Sequence, residues 1–493
     1  MGVIEKQATK NAIYSYLGAG LGFFTVMLSS YLLSPDENGL TRILISVSSL
    51  FSLFSGLGFS ATTVRFFPYF RNKDKGHHGF LFYGILTTLI GFVICYCIFY
   101  LLKDKIVETN SQKSKLFSDY IFYLMPLTFF TVFFSMFDYY LRSCYSSVIG
   151  SSAKDFTQRI LILASLLLYF TKTINFNIFI FLYVASTCIP TLILLYYIVK
   201  LDEWHIKPVR GFVSKELRKE MIKLSLFSLL SGGAGVLISN IDIVMVNQKL
   251  GLAQTGIYGI AFYFGTIITI PSRSLSRIAT GVVSDAFKKN DLDHISNLYK
   301  KSCNSQLAIG LLLFIGIWSN IDNIMELLPP EYASGRNVIL FISAGYLIDM
   351  GTGINYIIVL TSQYYRYDSY FMFVVLFITI LSNYILIPIY GIEGSAIATA
   401  LTITMYNIMR GVFIYIKFKM QPYTINSVKL TFIAIIAFLP GYFIPYLNNF
   451  YLDIATRSTI VGGLFILLIL KMEAAPEINH KIRKNLKRIS INL

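Results

Sequence analysis

The stretch YSYLGAGLGFFTVMLSSYLLSPDENGLTRILISVSSLFSLFSGLGFSATTVRFFPYFRNKDKGH (residues 14–77) decides the fold, because it occurs twice. Moved along the chain by 217 positions it lies over residues 231–294. Gly18 then falls on Gly235, Gly39 on Gly256, Phe70 on Phe287, Arg71 on Lys288, Asp74 on Asp291 and His77 on His294. Each copy follows one plan: a long apolar run with small residues near its start, a short polar turn ending in Gly, a second apolar run, then a charged loop. A matched pair of this length describes a chain built from two halves. Paired membrane halves around a shared centre are a common transporter design.

The 493 residues are 55% hydrophobic and 14% charged, with a mean hydropathy of +0.62. A soluble domain carries roughly 25% charged residues. The apolar residues come in blocks of about 20, each able to cross a hydrocarbon core of about 30 Å as a helix. The alternation of a β-barrel strand is not visible. Cys95, Cys97, Cys144, Cys188 and Cys303 lie in or beside apolar blocks, at spacings that fit neither a disulfide framework nor a zinc site. The first block is too long for a signal peptide and lacks a convincing cleavage site, which makes it an uncleaved span.

Fourteen spans are expected, centred near residues 22, 52, 90, 130, 164, 187, 235, 264, 314, 347, 378, 404, 437 and 462. The net charge of +16 is distributed by topology. With the N-terminus inside, only Arg42, Lys103, Lys105, Lys113, Lys115, Lys172, Lys249, Arg336 and Arg457 of the 42 Lys and Arg fall on the outer side. That asymmetry is the positive-inside rule, and it puts both termini in the cytoplasm. The basic excess therefore orients the chain and meets anionic headgroups rather than nucleic acid.

The expected fold is an all-α polytopic membrane protein of about 14 helices: two six-helix bundles related by a pseudo-two-fold repeat, plus two C-terminal helices. The bundles take residues 1–200 and 221–420, joined by a basic cytoplasmic linker at 201–220. The extra pair occupies 421–471 and a basic cytoplasmic tail 472–493. Gly18 and Gly22 have the spacing that lets helices approach closely. Leu33 to Gly39 reads as a tight outer turn, and an amphipathic surface helix starts near Ser214. Pro126, Pro190 and Pro271 mark kinks within spans.

Several landmarks carry a family likeness. They are Gln7-Ala8-Thr9-Lys10-Asn11, the turn Leu33 to Gly39, Gly56-Leu57-Gly58-Phe59 to Arg65-Phe66-Phe67, Asn240-Ile241-Asp242, Gly256-Ile257-Tyr258 and Tyr390-Gly391-Ile392-Glu393-Gly394. In order and spacing they resemble the polysaccharide-biosynthesis flippases of the Wzx type. That superfamily also holds the MATE drug exporters and the lipid II flippases. The resemblance implies a V-shaped central cavity with alternating access, in a bacterial cytoplasmic membrane. It implies an undecaprenyl-pyrophosphate-linked oligosaccharide as substrate, moved to the outer leaflet for O-antigen, capsule or exopolysaccharide assembly. It implies work beside a polysaccharide polymerase and a chain-length regulator. The family shares no catalytic motif, so no residue role carries over.

Walker-type Gly-Lys-Ser/Thr is absent, so no nucleotide drives the chain directly and no cofactor is expected. A metal site from His77 and His78 is outweighed by a solvated loop. Charge in hydrocarbon is costly, so ionisable groups within spans face a cavity or a partner. Asp138, Arg142, Asp242, Asp349 and Arg410 are the deepest. Asp138 and Arg142 are four apart, and a pair along their own helix weighs as much as a lumen role. For Asp242 and Asp349 a lumen role outweighs a structural hydrogen bond. Arg65, Arg273 and Arg277 lie toward the cytoplasmic ends of repeat-related spans. They either snorkel or form a cationic entrance for pyrophosphate, since guanidinium forks match phosphate oxygens. The 34 Tyr and 41 Phe are mostly lipid-facing or core, with a minority of Tyr free to stack on sugars.

Moving an anion outward gains about 2.3 kcal/mol per charge per 100 mV, so the membrane potential can supply direction. A proton or sodium ion acting through Asp242 is a further option. Three other functions compete, one of them a non-transporting scaffold for a synthesis complex anchored by the segment Lys200 to Lys223. A cation-coupled drug exporter would have an acid in span one, which is missing here. A membrane polymerase or glycosyltransferase would need a long outer loop, whereas the stretch Lys103 to Ser118 is short and Lys-rich.

Overall fold

The computed structural model describes residues 3–110, 113–209 and 211–488; the side chains of Arg273 and Arg277, both candidate entrance residues, lie outside the described residues. Those residues form helices joined by short turns, with no strand among them. They gather into two compact units, Met1–Gly259 and Ile260–Leu493. The first unit holds α1 (Val3–Leu32), α2 (Pro35–Ser55), α3 (Phe59–Phe70), α4 (Phe80–Asn110), α5 (Lys115–Asp119), α6 (Leu124–Ser143), α7 (Val148–Ser151), α8 (Gln158–Phe170), α9 (Phe176–Lys200) and α10 (Lys215–Leu250). α11 (Leu252–Thr266) crosses the boundary. The second unit holds α12 (Ile270–Lys288), α13 (Leu292–Ser319), α14 (Ile321–Glu326), α15 (Arg336–Gly351), α16 (Asn355–Thr361), α17 (Arg366–Phe418), α18 (Ile425–Phe443), α19 (Phe450–Met472) and α20 (Pro476–Arg488).

Among the described residues nine helices are long and apolar enough to cross a membrane, or eleven if two bent pairs count as spans. The multi-pass helical architecture is as expected; a count of fourteen is not reached by this measure. The difference falls at three places. The apolar part of α1 is only Leu17–Leu32. α8 has 13 residues behind a π-helical turn, Ser152–Thr157. α17 has 53 residues, about 80 Å of helix at 1.5 Å per residue, but Gly391 (φ 59°, ψ −137°) folds it back on itself. Cross-pairs step outward from that turn: Asn383 with Ser395 at 2.8 Å, Thr379 with Thr402 at 3.1 Å, and Asp368 with Arg410 at 2.8 Å. α17 is thus a hairpin of two antiparallel helices turning at Tyr390-Gly391-Ile392, where the sequence places a span junction.

The polar turn before α2 is tighter than its sequence suggests. Ser34 and Glu37 form a reciprocal capping box (3.3 and 2.8 Å), and Pro35 sits in the first helical turn. Helix therefore begins at Pro35, and Gly39 lies within it rather than in a loop. The buried Asn38 amide donates to the Ser29 and Leu33 carbonyls (2.9 and 3.2 Å), fastening α2 to the end of α1.

The repeat shows itself at Gly39. A Cβ there would sit 2.1 Å from the Leu252 carbonyl oxygen, and a Cβ at Gly256 would sit 2.0 Å from the Pro35 carbonyl oxygen. Pro35 and Leu252 are repeat partners, as are Gly39 and Gly256. Each turn thus packs its glycine on the other's helix start, the reciprocal contact that a two-fold relation produces. Lipid tails are as apolar as leucine, so close backbone approach and hydrogen bonds, rather than expulsion of water, hold such helices together.

α10 corrects one local expectation. A surface helix does begin at Ser214, whose side chain caps it by accepting from the Leu217 N–H at 3.1 Å. It does not stop before the next span but runs unbroken for 36 residues to Leu250. No proline interrupts residues 215–250, and a glycine pair lowers helix propensity without ending a helix.

Candidate functional site

The second predicted span is broken at its middle. α2 ends at Ser55, Leu57 (φ 45°) and Gly58 (φ 71°) take left-handed conformations, and α3 leaves at 47°. Gly58 is required twice over. Its φ suits glycine, and a Cβ would lie 2.0 Å from the Ser225 carbonyl oxygen of α10. Non-helical backbone at membrane depth is tolerated where it is buried in protein or lines a wet cavity. Here it lines a cavity of about 770 Å³ within the first unit.

The cavity wall is rich in hydroxyls: Ser49, Ser52, Ser60, Thr88, Thr131, Ser135, Tyr139, Ser228 and Ser239, with Asn240 beside them. Several of these hydroxyls spend their proton on their own helix. Ser49 donates to Ile45 (2.7 Å), Ser135 to Thr131 (3.1 Å) and Ser239 to Gly235 (2.8 Å). Their free lone pairs therefore accept from whatever enters. Sugar hydroxyls are suitable donors.

Two features make the cavity positive. Lys154, on the π-helical turn, is the one Lys or Arg among the described residues that line it. Its ammonium lies 5.1 Å from the Phe134 ring and has no ion pair among the described residues. A π-turn inside a helix is a frequent mark of a functional position. The second feature is the start of α3. Its N-cap, Gly58, offers no side-chain cap, and Phe59, Ser60 and Ala61 line the cavity. The Phe59 and Ala61 N–H groups already donate to the Gly56 and Gly58 carbonyls (2.9 and 3.2 Å), so what favours an anion here is the helix dipole, about half a positive charge.

The sequence candidates distribute as follows. Asp138 is buried and pairs with Arg142 at 2.6 Å along α6. Its second oxygen has no hydrogen-bond partner among the described residues and faces Gly150, where a Cβ would be 1.9 Å away. Arg65 is exposed on α3 beside the lining residue Val64, its guanidinium 5.8 Å from the Phe66 ring. Asp242 is buried on α10, accepting from the Tyr258 hydroxyl at 3.2 Å, while Gly235, Val236, Ser239 and Asn240 of the same helix line the cavity.

In the second unit Asp349 and Arg410 each belong to a polar set of their own. Asn407 donates to Asp349 at 2.9 Å, and Asn355 donates to Asn407 at 2.8 Å. Arg410 grips Asp368 with two bonds (2.8 and 3.3 Å) and lies 3.5 Å above the Tyr406 ring. Neither Asp349 nor Arg410 is among the residues lining the described cavities.

Lys154 and Asp368 were not singled out from the sequence. Lys154 reads as an ordinary span end; its signal is the Lys154-Asp155 pair shortly before the largely apolar run at 160–170. Asp368 lies close after a basic turn and passes for a surface acid.

Three ligand-type groups meet elsewhere in the first unit. His77, Cys144 and Glu203 place ligand atoms within 4.8 Å of one another. His77 is buried rather than solvated, held in the left-handed run Gly76-His77-His78-Gly79. Its Nδ1 accepts from the Asn72 N–H at 3.1 Å, so the ring proton sits on Nε2 and faces Glu203 at 2.6 Å. A metal on Nε2 would need that proton moved to Nδ1, into the Asn72 N–H. Burial, with Glu203 beside it, also pushes the Cys144 thiol up to about 12. The group is a histidine–carboxylate strut and fits a metal poorly.

Comparisons with known proteins agree with this architecture. A family model described as polysaccharide biosynthesis protein matches residues 6–289. A search of curated protein sequences finds no match. Among solved structures, the lipid II flippase MurJ in an inward closed conformation aligns at 13% identity over 93% of this chain and 97% of that one, with a TM-score of 0.74. An inward-facing multidrug resistance MATE family transporter of the MOP superfamily aligns at 15% identity, 81% and 94% coverage, and a TM-score of 0.63. A MOP superfamily transporter from Pyrococcus furiosus aligns at 14% identity, 84% and 96% coverage, and 0.57. At these identities the likeness is one of fold.

Proposed function

Because the chain belongs to the polysaccharide biosynthesis protein family, we propose that it flips a lipid-linked oligosaccharide across the cytoplasmic membrane. The substrate is a sugar chain on undecaprenyl pyrophosphate, passed from the inner to the outer leaflet for O-antigen, capsule or exopolysaccharide assembly. The observation that carries this reading is the first-unit cavity: hydroxyl acceptors for a sugar, with Lys154 and the start of α3 for the pyrophosphate. An ammonium in the cavity also disfavours organic cations as cargo, since like charges repel where the dielectric is low.

In this reading both termini are cytoplasmic, the two repeat halves alternate access, and the lipid tail stays in the bilayer while the headgroup crosses. Asp242 and the Asp349 network serve the moving helices, and Arg65, Arg273 and Arg277 attract the headgroup.

The test is flipping in reconstituted vesicles. A fluorescent oligosaccharide on undecaprenyl pyrophosphate is placed in one leaflet, and its loss of access to a membrane-impermeant quencher is followed. The expected result is transfer above empty vesicles, slowed about tenfold or more in Lys154→Gln by loss of a charge-assisted contact. Transfer no faster than in empty vesicles sinks the proposal, as does proton- or sodium-driven extrusion of an organic cation by the same preparation.

A further inference from the structure

The second unit contains its own crevice, of about 550 Å³, between α12, α13, α15 and α20. That size suits one small ligand or chain segment. Its walls are apolar, with Leu275, Ala279, Ile309, Met350 and Ile354 among them. One side is different: Lys301, Ser302, Ser305 and Gln306 bring a polar strip down α13.

Gln306 is the informative member. The residue is only 4% exposed, and its Nε2 has no hydrogen-bond partner among the described residues. A buried amide donor without an acceptor is costly, so such a group points to an unfilled partner. One and a half turns along the helix, Lys301 stands half-exposed at the mouth, 3.5 Å from Glu477 of α20.

α20 supplies the fourth wall. Ile478 and Ile482, four apart, face the crevice. In sequence the same short helix is basic, with Lys481, Arg483, Lys484, Lys487 and Arg488; of these only the Arg483 side chain is among the described ones, 3.3 Å from Glu473. A helix with isoleucines on one side and this many cations lies at an anionic membrane surface.

We propose that this crevice holds one membrane phospholipid with an anionic headgroup. Its acyl chain fills the apolar walls, an ester carbonyl accepts from the Gln306 amide, and its phosphate meets Lys301 and the basic helix above. The order along α13 matches the order in the lipid, where the ester carbonyls lie deeper than the phosphate. This site lies within the second unit, apart from the hydroxyl-lined cavity, and does not depend on what that cavity carries.

The experiment is native mass spectrometry of the full chain released from detergent with added dioleoyl phosphatidylglycerol, dioleoyl phosphatidylethanolamine or undecaprenyl phosphate. The wild type should keep one phosphatidylglycerol at energies that strip the other lipids. Gln306→Leu should lower that occupancy about fivefold, the worth of one hydrogen bond, and Ile309→Trp should abolish it by filling the space. Gln306→Leu loses an unpaired donor, so its lipid-free unfolding temperature should not fall. Ile309→Trp reads the same site through volume rather than polarity. Retention unchanged in both variants overturns the proposal. So does equal retention of phosphatidylethanolamine, which removes headgroup selection. Displacement by an equal amount of undecaprenyl phosphate assigns the crevice to a polyprenyl chain instead and equally overturns it.

Discussion

What a charged side chain does in this chain is decided by how completely its neighbours satisfy it. Arg457 is buried in α19 and fully engaged: it pairs with Asp453 at 2.6 Å and donates to the Gly441 and Ile444 carbonyls. Arg410 is held as tightly by Asp368 and by the Tyr406 ring. Removing one member of such a pair strands the other's charge, which costs about 3–5 kcal/mol, whereas replacing both with apolar residues is often near neutral. Arg410→Met should therefore lower the unfolding temperature in detergent sharply, and Arg410→Met with Asp368→Leu should recover most of the loss. Equal losses in the single and double variants would show that packing, and not the stranded carboxylate, sets the cost. Lys154 differs because it lines the cavity and, although Asp138 and Asp155 act on it electrostatically, it makes no ion pair among the described residues. This distinction was only partly legible. The sequence marked Asp349 and Arg410 as deep, but pairing depends on which helices meet, and that is not written at either position. A related expectation concerns His77. With its Nδ1 accepting a backbone N–H and the Cys144 thiol held protonated up to about 12, added zinc or a chelator should leave thermal unfolding unchanged. A rise in unfolding temperature with zinc, reversed by chelation, would restore the metal reading.

At the scale of helices, the glycines sort into those that permit contact and those that do not. Gly39 and Gly256 each bring a backbone carbonyl within about 2 Å of where a Cβ would be, and nothing lies within 4 Å of the same point at Gly20. Alanine at Gly39 or Gly256 must push α2 and α11 apart, and overpacking of this kind typically costs about 1–3 kcal/mol. Gly20→Ala should be neutral or slightly stabilising, since alanine is the better helix former by about 1 kcal/mol. Thermal unfolding of the three single variants checks this, and a Gly256→Ala chain as stable as Gly20→Ala would contradict the reciprocal contact. The repeat was readable because glycine spacing survives where apolar identity drifts. The break between α2 and α3 was not, because Gly56-Leu57-Gly58-Phe59 reads equally as helix in a membrane, and only Ser225 pressing on Gly58 explains it. The hairpin in α17 was legible at Tyr390-Gly391, since a turn there keeps Asn383 opposite Ser395. The start of α10 at Ser214 was legible, but its unbroken run to Leu250 was not, because nothing in residues 215–250 marks whether one helix or two is present.

For the molecule as a whole, attraction of the cargo and direction of transport have separate origins. The basic residues fall on one side of the expected topology, and the cavity that would carry a headgroup presents a cation and a helix start. These features favour an anion but do not by themselves push it either way, because a fixed charge attracts its ligand equally from both leaflets. Direction has to come from outside the protein. A potential of 100 mV, negative inside, contributes about 2.3 kcal/mol for each negative charge moved out, or about fifty-fold in the leaflet ratio. With two charges on a pyrophosphate the effect doubles in energy, which is sufficient without an ion gradient. In vesicles, a potassium diffusion potential should drive the labelled lipid toward the positive side, and collapsing it should return the leaflets toward parity. Lys154→Gln should slow the approach to that distribution without changing its end point, because a variant alters the path and not the charge of the cargo. If the end point instead follows a proton or sodium gradient and ignores the potential, the energy enters through an ionisable side chain, and Asp242→Asn should then abolish accumulation while leaving downhill flipping intact.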